Sequence, residues 1–409
     1  MNARSERRLD LVVYGATSFV GQILCRYLVQ RHGANGKLRW AIAGRNADKL
    51  GRVAAETGAD VEQIIADATD NSALRDLASQ TRVVVSTVGP YAQYGSTLVA
   101  AVTATGTDYC DLTGEPQWIR RMIDAHQDDA RASGARVVHA CGFDSIPTDM
   151  GVWFTQQRAI EALGEPCDRI GMRLKAMSGG ASGGTIASIM NLLTEATGDS
   201  EVRKVLADPY SLVPADSRPE VDQPDIKGPA RDELSGQWVA PFIMAAIDTR
   251  VVHRSNALLG FPWGRGFRYD EGMLMGTGPL GLAKATGISA GMLVGMGTAA
   301  VGPVRRLLVD KVLPQPGTGP SDEAQQKGFF DLRFFGRTAS GKLIRTKVTG
   351  DRDPGYGSTA KILGETAVAL VELETAALEG GIWTPASAFG DDLVSRLSRN
   401  AGLTFEVLS

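Results

Sequence analysis

Gly15 and Gly21 stand six positions apart in YGATSFVG, a spacing that suits a backbone passing close to a pyrophosphate. Such a loop works at a strand-to-helix junction, where the first N–H groups of the helix and its positive dipole end face the anion. The apolar run Leu9 to Tyr14 and the amphipathic run that follows supply that junction. Ser18 occupies the middle position of a GxxGxxG-type loop, where its hydroxyl can bond a phosphate or cap the helix.

Other candidates lie at the ends of strand-like runs. An NAD enzyme usually carries a carboxylate after its second strand to bond the ribose 2′-hydroxyl, whereas a 2′-phosphate needs a cation. Here the sequence is Gly44, Arg45, Asn46, which favours NADP(H) with Arg45 as the clamp over a solvated Arg45. Asp67 ends the third run, either meeting the adenine or capping a helix. In STVGPYAQYG, Gly89 and Pro90 set a tight turn that lines the cofactor's far ribose or nicotinamide, and Tyr91 or Tyr94 is either a proton donor or a packed aromatic. Asp144, in CGFDSIPTD, either faces the nicotinamide or caps the helix that Pro147 begins. Cys141 reads as a small buried residue, and His139 and His253 as structural histidines.

These positions require a particular frame. Apolar strand-like runs alternate with helical runs of ten or more residues up to about position 145, which implies right-handed crossovers and a parallel sheet covered on both faces. The fold class is therefore α/β: a Rossmann-type NADP-binding domain over 1–145, then an α+β substrate domain over 146–356. Within the second, strands are expected at Arg169 to Met177, Gln237 to His253 and Gly328 to Gly350, the last a hairpin. Apolar helical patterns at Gly357 to Glu379 and Ala386 to Arg399 are expected to pack back on the first domain, a 357–409 unit.

The segment 272–304 has Lys284 as its only charge and is followed by Arg305 and Arg306. Its uncharged part is about 20 residues, the length of a spanning helix. Glycine, alanine and threonine make it weakly hydrophobic, so a buried or lid helix pair, a membrane-surface element and a true span all remain open.

Composition narrows the class of partner. Forty-three basic and 46 acidic residues, well mixed and with a net charge of −3, give no nucleic-acid signature. Four scattered cysteines and four histidines offer no zinc spacing and fit a reducing, cytoplasmic setting. MNARSERRLD reads as neither a signal nor a transit peptide, leaving a cytoplasmic protein or one peripheral to the inner face of the cell membrane.

Taken in order, YGATSFVG, AGRN, STVGPYAQYG, GTDYCDLTGE, CGFDSIPTD, RVVHRSNALLG, GRGFRYDE and PQPGTGPS resemble the saccharopine dehydrogenase-like oxidoreductases, and more closely the mycobacterial trans-acting enoyl reductases. Ser18 departs from the glycine usual there. The resemblance implies an NADPH-dependent enzyme that saturates a carrier-bound α,β-unsaturated acyl thioester beside a polyketide synthase, in phthiocerol-type lipid synthesis. By that likeness Gly15, Thr17, Ser18, Phe19, Val20, Gly21, Arg45, Asp67, Gly89 and Phe143 hold the cofactor, and Thr113, Gly114, Asp144 and Ser145 lie toward the substrate. Asp144 and Tyr91 are then the catalytic candidates; backbone N–H groups of Gly114 or the Asp144 turn and a hydroxyl such as Tyr91 could serve the thioester oxygen and the α-carbon, and water would also suffice as the proton source. The competing readings are an imine or C–N reductase, in which Arg173, Lys175 and Arg250 would clamp carboxylates, and a non-catalytic nucleotide-binding, lipid-associated protein. A homodimer is compatible with any of the three.

Overall fold

The structure, a computed structural model, describes residues 6–179, 183–300 and 319–408. Residues 301–304 of the apolar segment, Arg305, Arg306 and most of PQPGTGPS lie outside the described residues.

The first sheet is built from β1 (Leu9–Tyr14), β2 (Trp40–Gly44), β3 (Glu62–Ile65), β4 (Thr81–Ser86), β5 (Asp108–Asp111) and β6 (Arg136–Val138). Every pairing in it is parallel. Its strands read as continuous apolar runs because both faces are buried. Leu11, Val13, Val83 and Val85 point into one core, and Val12, Tyr14 and Val84 into the other. One face is covered by α1 (Phe19–His32), α2 (Ala47–Thr57) and the helix Thr359–Glu372. The other is covered by α3 (Asn71–Gln80), α5 (Ser96–Thr105) and α6 (Pro116–Ser133), with the short α4 (Tyr91–Tyr94) before α5.

The strand order places β1 between β4 and β2. The chain winds outward from β1 through β2 to β3, then restarts on the other side with β4. The β1/β4 boundary is therefore the switch point at which open α/β sheets bind ligands.

After α7 (Ile146–Leu163) the chain builds a second sheet: β7 (Cys167–Ser178), β8 (Ala230–Arg231), β9 (Trp238–Pro241), β10 (Arg268–Gly276), β11 (Phe329–Thr338) and β12 (Leu343–Gly350). β7 and β10 run parallel and their neighbours antiparallel. The β11–β12 pair is the expected hairpin. Between the strands lie α8 (Gly183–Gly198), α9 (Ser200–Ala207), α10 (Ala245–Leu258) and α11 (Gly278–Ala300).

Three local expectations change. The Gln237 to His253 run is a strand only over β9; the remainder enters α10, where every residue from Ile247 to Asn256 is buried. With no exposed face, that helix shows no amphipathic period to read. The apolar segment starts within β10 and continues as one helix, α11, in place of a helix pair. Among the described residues no helix is long and apolar enough to cross a membrane. Finally, the last fifty residues serve both sheets: β13 (Gly381–Trp383) pairs with β6, and β14 (Leu403–Leu408) pairs with β12.

Candidate active site

The loop after β1 is shaped by its glycines. Gly15 has φ +89°, and a Cβ there would lie 2.5 Å from Val88 Cγ2. A Cβ on Gly21 would lie 2.3 Å from the Gly15 carbonyl oxygen, so only glycine lets the loop fold onto α1. Ser18 caps that helix: its Oγ accepts from Gly21 N at 2.9 Å. The same oxygen lies 2.9 Å from Thr87 Oγ1, and Thr87 also bonds Gly15 O at 2.9 Å. The hydroxyl that replaces the middle glycine therefore ties together the two loops that flank the switch point. The tight glycine packing brings the loop backbone onto the N-terminus of α1, whose first-turn N–H groups fit a dinucleotide pyrophosphate.

Around this cradle, Thr17, Phe19 and Val20 are half-buried, and the Phe19 ring packs edge-on to Tyr356 at 4.8 Å. At the outer end, Arg45 is exposed, directly after β2, and close enough to act on Asp67 beyond β3. Asp67 is held below the usual carboxylate range by the Thr69 amide, the Thr69 hydroxyl and Arg45. The structure thus brings Arg45 and Asp67 together at the carboxyl ends of β2 and β3. Asn46, next to Arg45, caps α2 through Lys49 N.

On the other side of the switch point, Gly89 and Pro90 form a cis turn beneath α8, with Gly89 Cα flanked by the Tyr91 ring and Ser188. Tyr91 is buried, and its hydroxyl donates to Ser86 O at 2.9 Å and accepts from Leu112 N at 3.3 Å. With both contacts made inside the sheet edge, Tyr91 is placed as a brace, with burial raising its phenol well above the usual range. Tyr94 is exposed on the outer surface.

The carboxylates beyond β5 and β6 organise the rest. Asp111 bonds the Ala140 and Thr113 amides at 3.0 and 3.1 Å and His139 Nδ1 at 2.7 Å. These bonds hold Ala140 at φ +59°, a conformation costly for a residue with a Cβ, and so fix the turn that presents Asp144. Glu115 is buried and accepts from Tyr91 N, Ala92 N and Ser188 Oγ, each at 2.9 Å, joining α4 to α8. Neither role could be read from local pattern. The signal was only that both acids sit in DLTGE, at a strand end.

Asp144 lies against Gly114: a Cβ on Gly114 would sit 3.4 Å from Asp144 Oδ2 and 3.9 Å from Met244 Cε. It is half-buried, and burial raises its carboxyl to about 6. Among the described residues it makes no hydrogen bond and no ion pair, so it is not the cap of α7. The neighbouring Ser145 and Thr113 are buried, and Ser145 Oγ donates to Asp248 Oδ1 at 2.9 Å. Phe143 is buried with its ring edge-on to Phe330 of β11 at 4.8 Å and its amide on Thr359. Thr113, Gly114, Asp144 and Ser145 therefore converge where the two sheets meet, while Phe143 packs between them.

The cations considered for carboxylate clamping are occupied. Arg173 is fully buried on Asp232 and Asp270, at 2.8 and 3.0 Å. Arg250 is bound to Thr249 and Leu206 O, and Lys175 pairs with Asp331 on the surface. The four cysteines are buried thiols, and His253 packs between Tyr210 and Phe267.

No family model matches the chain. Proteins named trans-acting enoyl reductase match it closely: one from Mycobacterium bovis is 39% identical over 407 residues and one from Mycobacterium leprae 36% over 406, each match covering 96% of both chains. A Mycobacterium tuberculosis protein given the same name provisionally is 41% identical over 407 residues, again over 96% of both. Among solved structures, apo saccharopine dehydrogenase (L-Glu forming) from Saccharomyces cerevisiae aligns with a TM-score of 0.55 at 11% identity, covering 98% of this chain and 100% of that one. The chain is thus an oxidoreductase on a saccharopine dehydrogenase-like fold, and it belongs to the trans-acting enoyl reductase family.

Proposed function

We propose that this chain is an NADPH-dependent enoyl reductase that saturates α,β-unsaturated acyl thioesters, carried by a polyketide synthase and destined for phthiocerol-type lipid. The observation that carries the reading is Asp144: an unpaired carboxyl raised to about 6, facing Gly114 at the switch-point cleft. A group with that pKa and partial access suits proton delivery near neutral pH. The glycine cradle and the first turn of α1 would hold the pyrophosphate, with Arg45 beside the adenosine ribose for a 2′-phosphate.

When bound, the nicotinamide supplies hydride to the substrate β-carbon. The protein stabilises the charge that develops on the thioester oxygen with backbone N–H groups at Gly114 or the Asp144 turn. Asp144 then gives its proton to the α-carbon. The neutral surroundings of the recess support an acyl substrate over an amino acid, because Arg173, Lys175 and Arg250 are already engaged. The exposed Leu280, Leu282, Leu293 and Val294 of α11 support contact with lipid at a cytoplasmic membrane surface.

The test is oxidation of NADPH and NADH by purified protein with a panel of 2-enoyl thioesters. Turnover with NADPH supports the reading. Tight NADPH binding with no turnover on any chain length favours the non-catalytic alternative.

A further inference from the structure

Behind Asp144 lies a second pair of carboxyl groups. Asp248 of α10 and Glu271 of β10 are almost completely buried, at 1% and 2% exposure. Each is held by one hydroxyl: Ser145 Oγ donates to Asp248 Oδ1 at 2.9 Å, and Tyr269 OH donates to Glu271 Oε1 at 2.7 Å. Their other oxygens, Asp248 Oδ2 and Glu271 Oε2, have no further acceptor or donor among the described residues. The two side chains face each other closely enough to interact directly.

Two buried carboxylates cannot both be charged at such range. Burial raises both groups, and each also answers to the other. The remaining charges acting on the pair are Asp144 and Asp270, which oppose ionisation, and Arg173 and Arg250, which are bound elsewhere. The pair therefore retains a proton at neutral pH. Glu271 also lines a partly open cavity of about 800 Å³, together with Tyr269, Phe242, Ile226, Arg250 and Leu293. The Glu271 side chain thus forms part of the wall between the pair and that cavity. Ser145, covalently next to Asp144, bonds the pair on the other side.

We propose that Asp248 and Glu271 form a proton relay that reloads Asp144 from the cavity beneath α11. This inference rests on the enoyl reductase reading. In each cycle the hydride for the β-carbon would come from a bound reduced nicotinamide dinucleotide, and the Asp144 O–H bond breaks as the α-carbon C–H bond forms. The Asp144 carboxylate then takes the proton held between Asp248 and Glu271, by one hydroxyl or water exchange. Water in the cavity returns a proton to the pair, so each turnover consumes one hydride and one solvent proton. Asp248 and Glu271 never touch substrate; they are positioning and supply residues, and Asp144 is the catalytic one.

Asp248→Asn keeps an acceptor for Ser145 and removes the exchangeable acid; Glu271→Gln is the second variant. Both should lower kcat roughly 10- to 100-fold, raise the solvent deuterium isotope effect on kcat, and leave the NADPH Kd unchanged. Infrared spectroscopy reports the pair without turnover: wild type should show a protonated-carboxyl stretch at pH 7 that weakens in either variant. Absence of that band in wild type overturns the relay. So do variants that fold and reduce enoyl thioesters with wild-type pH profile and isotope effect. A wild-type protein that shows the band but reduces no enoyl thioester instead refutes the enoyl reductase reading.

Discussion

Replacing Ser18 separates a structural hydroxyl from a phosphate-binding one. In the structure Ser18 Oγ accepts from Gly21 N and meets Thr87 Oγ1, both at 2.9 Å. Loss of an N-cap side chain costs about 1 kcal/mol, and loss of a partly buried hydroxyl contact about another 1 kcal/mol. Ser18→Ala should therefore destabilise the protein by about 2 kcal/mol. Ser18→Gly retains most of the cap, since glycine there costs only a few tenths of a kcal/mol, and should lose about 1 kcal/mol with the Thr87 bond. Removing the side chain altogether would also widen the approach to the pyrophosphate, so NADPH should bind Ser18→Gly at least as tightly as wild type. Urea unfolding followed by tryptophan fluorescence gives the stabilities, and NADPH fluorescence gives the affinities. Stability unchanged in Ser18→Ala, with NADPH binding weakened tenfold or more, would refute the assignment and make the hydroxyl a phosphate ligand.

Asp144→Asn should abolish most turnover while leaving NADPH binding intact, measured by steady-state kinetics and fluorescence titration. The same change should stabilise the fold above pH 7. Asp144 has a folded pKa of about 6, above its unfolded value, so ionisation costs stability progressively as pH rises from about 4 to 6 and in full above that. A gain of roughly 3 kcal/mol at pH 7.5 and none at pH 4 is expected in thermal unfolding. Arg45→Ala should weaken NADPH far more than NADH in paired titrations; equal losses would show that another group meets the 2′-phosphate. Glu115→Gln presents an amide N–H to donors now shared with a carboxylate, and should cost about 1–3 kcal/mol of stability.

Much of the first sheet was legible because its physics is local. Strands buried on both faces are apolar throughout, and Gly15, Gly58 and Gly106 end elements where only positive φ fits. The strand-end residues Gly114, Asp144 and Ser145 converge as the sheet topology requires, since a parallel sheet gathers its carboxyl ends along one edge. What local pattern could not reveal is what those side chains touch. For both the Tyr91 hydroxyl and the Asp144 carboxyl the sequence left a catalytic and a structural reading open. One is consumed by Ser86 O and Leu112 N, the other left open, and that difference depends on atoms from β4 and the β5 loop.

Longer range hid more. Asp248 reaches Ser145 across 103 residues, and Asp111 holds Ala140 across 29. α10 resembled a strand because burial on all sides erased its period, leaving the β-branched Val251 and Val252 to dominate. Strands β13 and β14 are short and follow strong helical patterns, so nothing local marked them as the edges that complete two different sheets.

If an enoyl thioester is the substrate held in front of Asp144, it must take up hydride and a solvent proton at different carbons. The decisive experiment mixes the purified protein with NADPH and a 2-enoyl thioester in deuterated water and locates the label by mass spectrometry and NMR. The expected product is a saturated thioester with one solvent deuteron on the α-carbon and none on the β-carbon. Unchanged enoyl thioester in the presence of bound NADPH, or a solvent deuteron on the β-carbon, would contradict that reading.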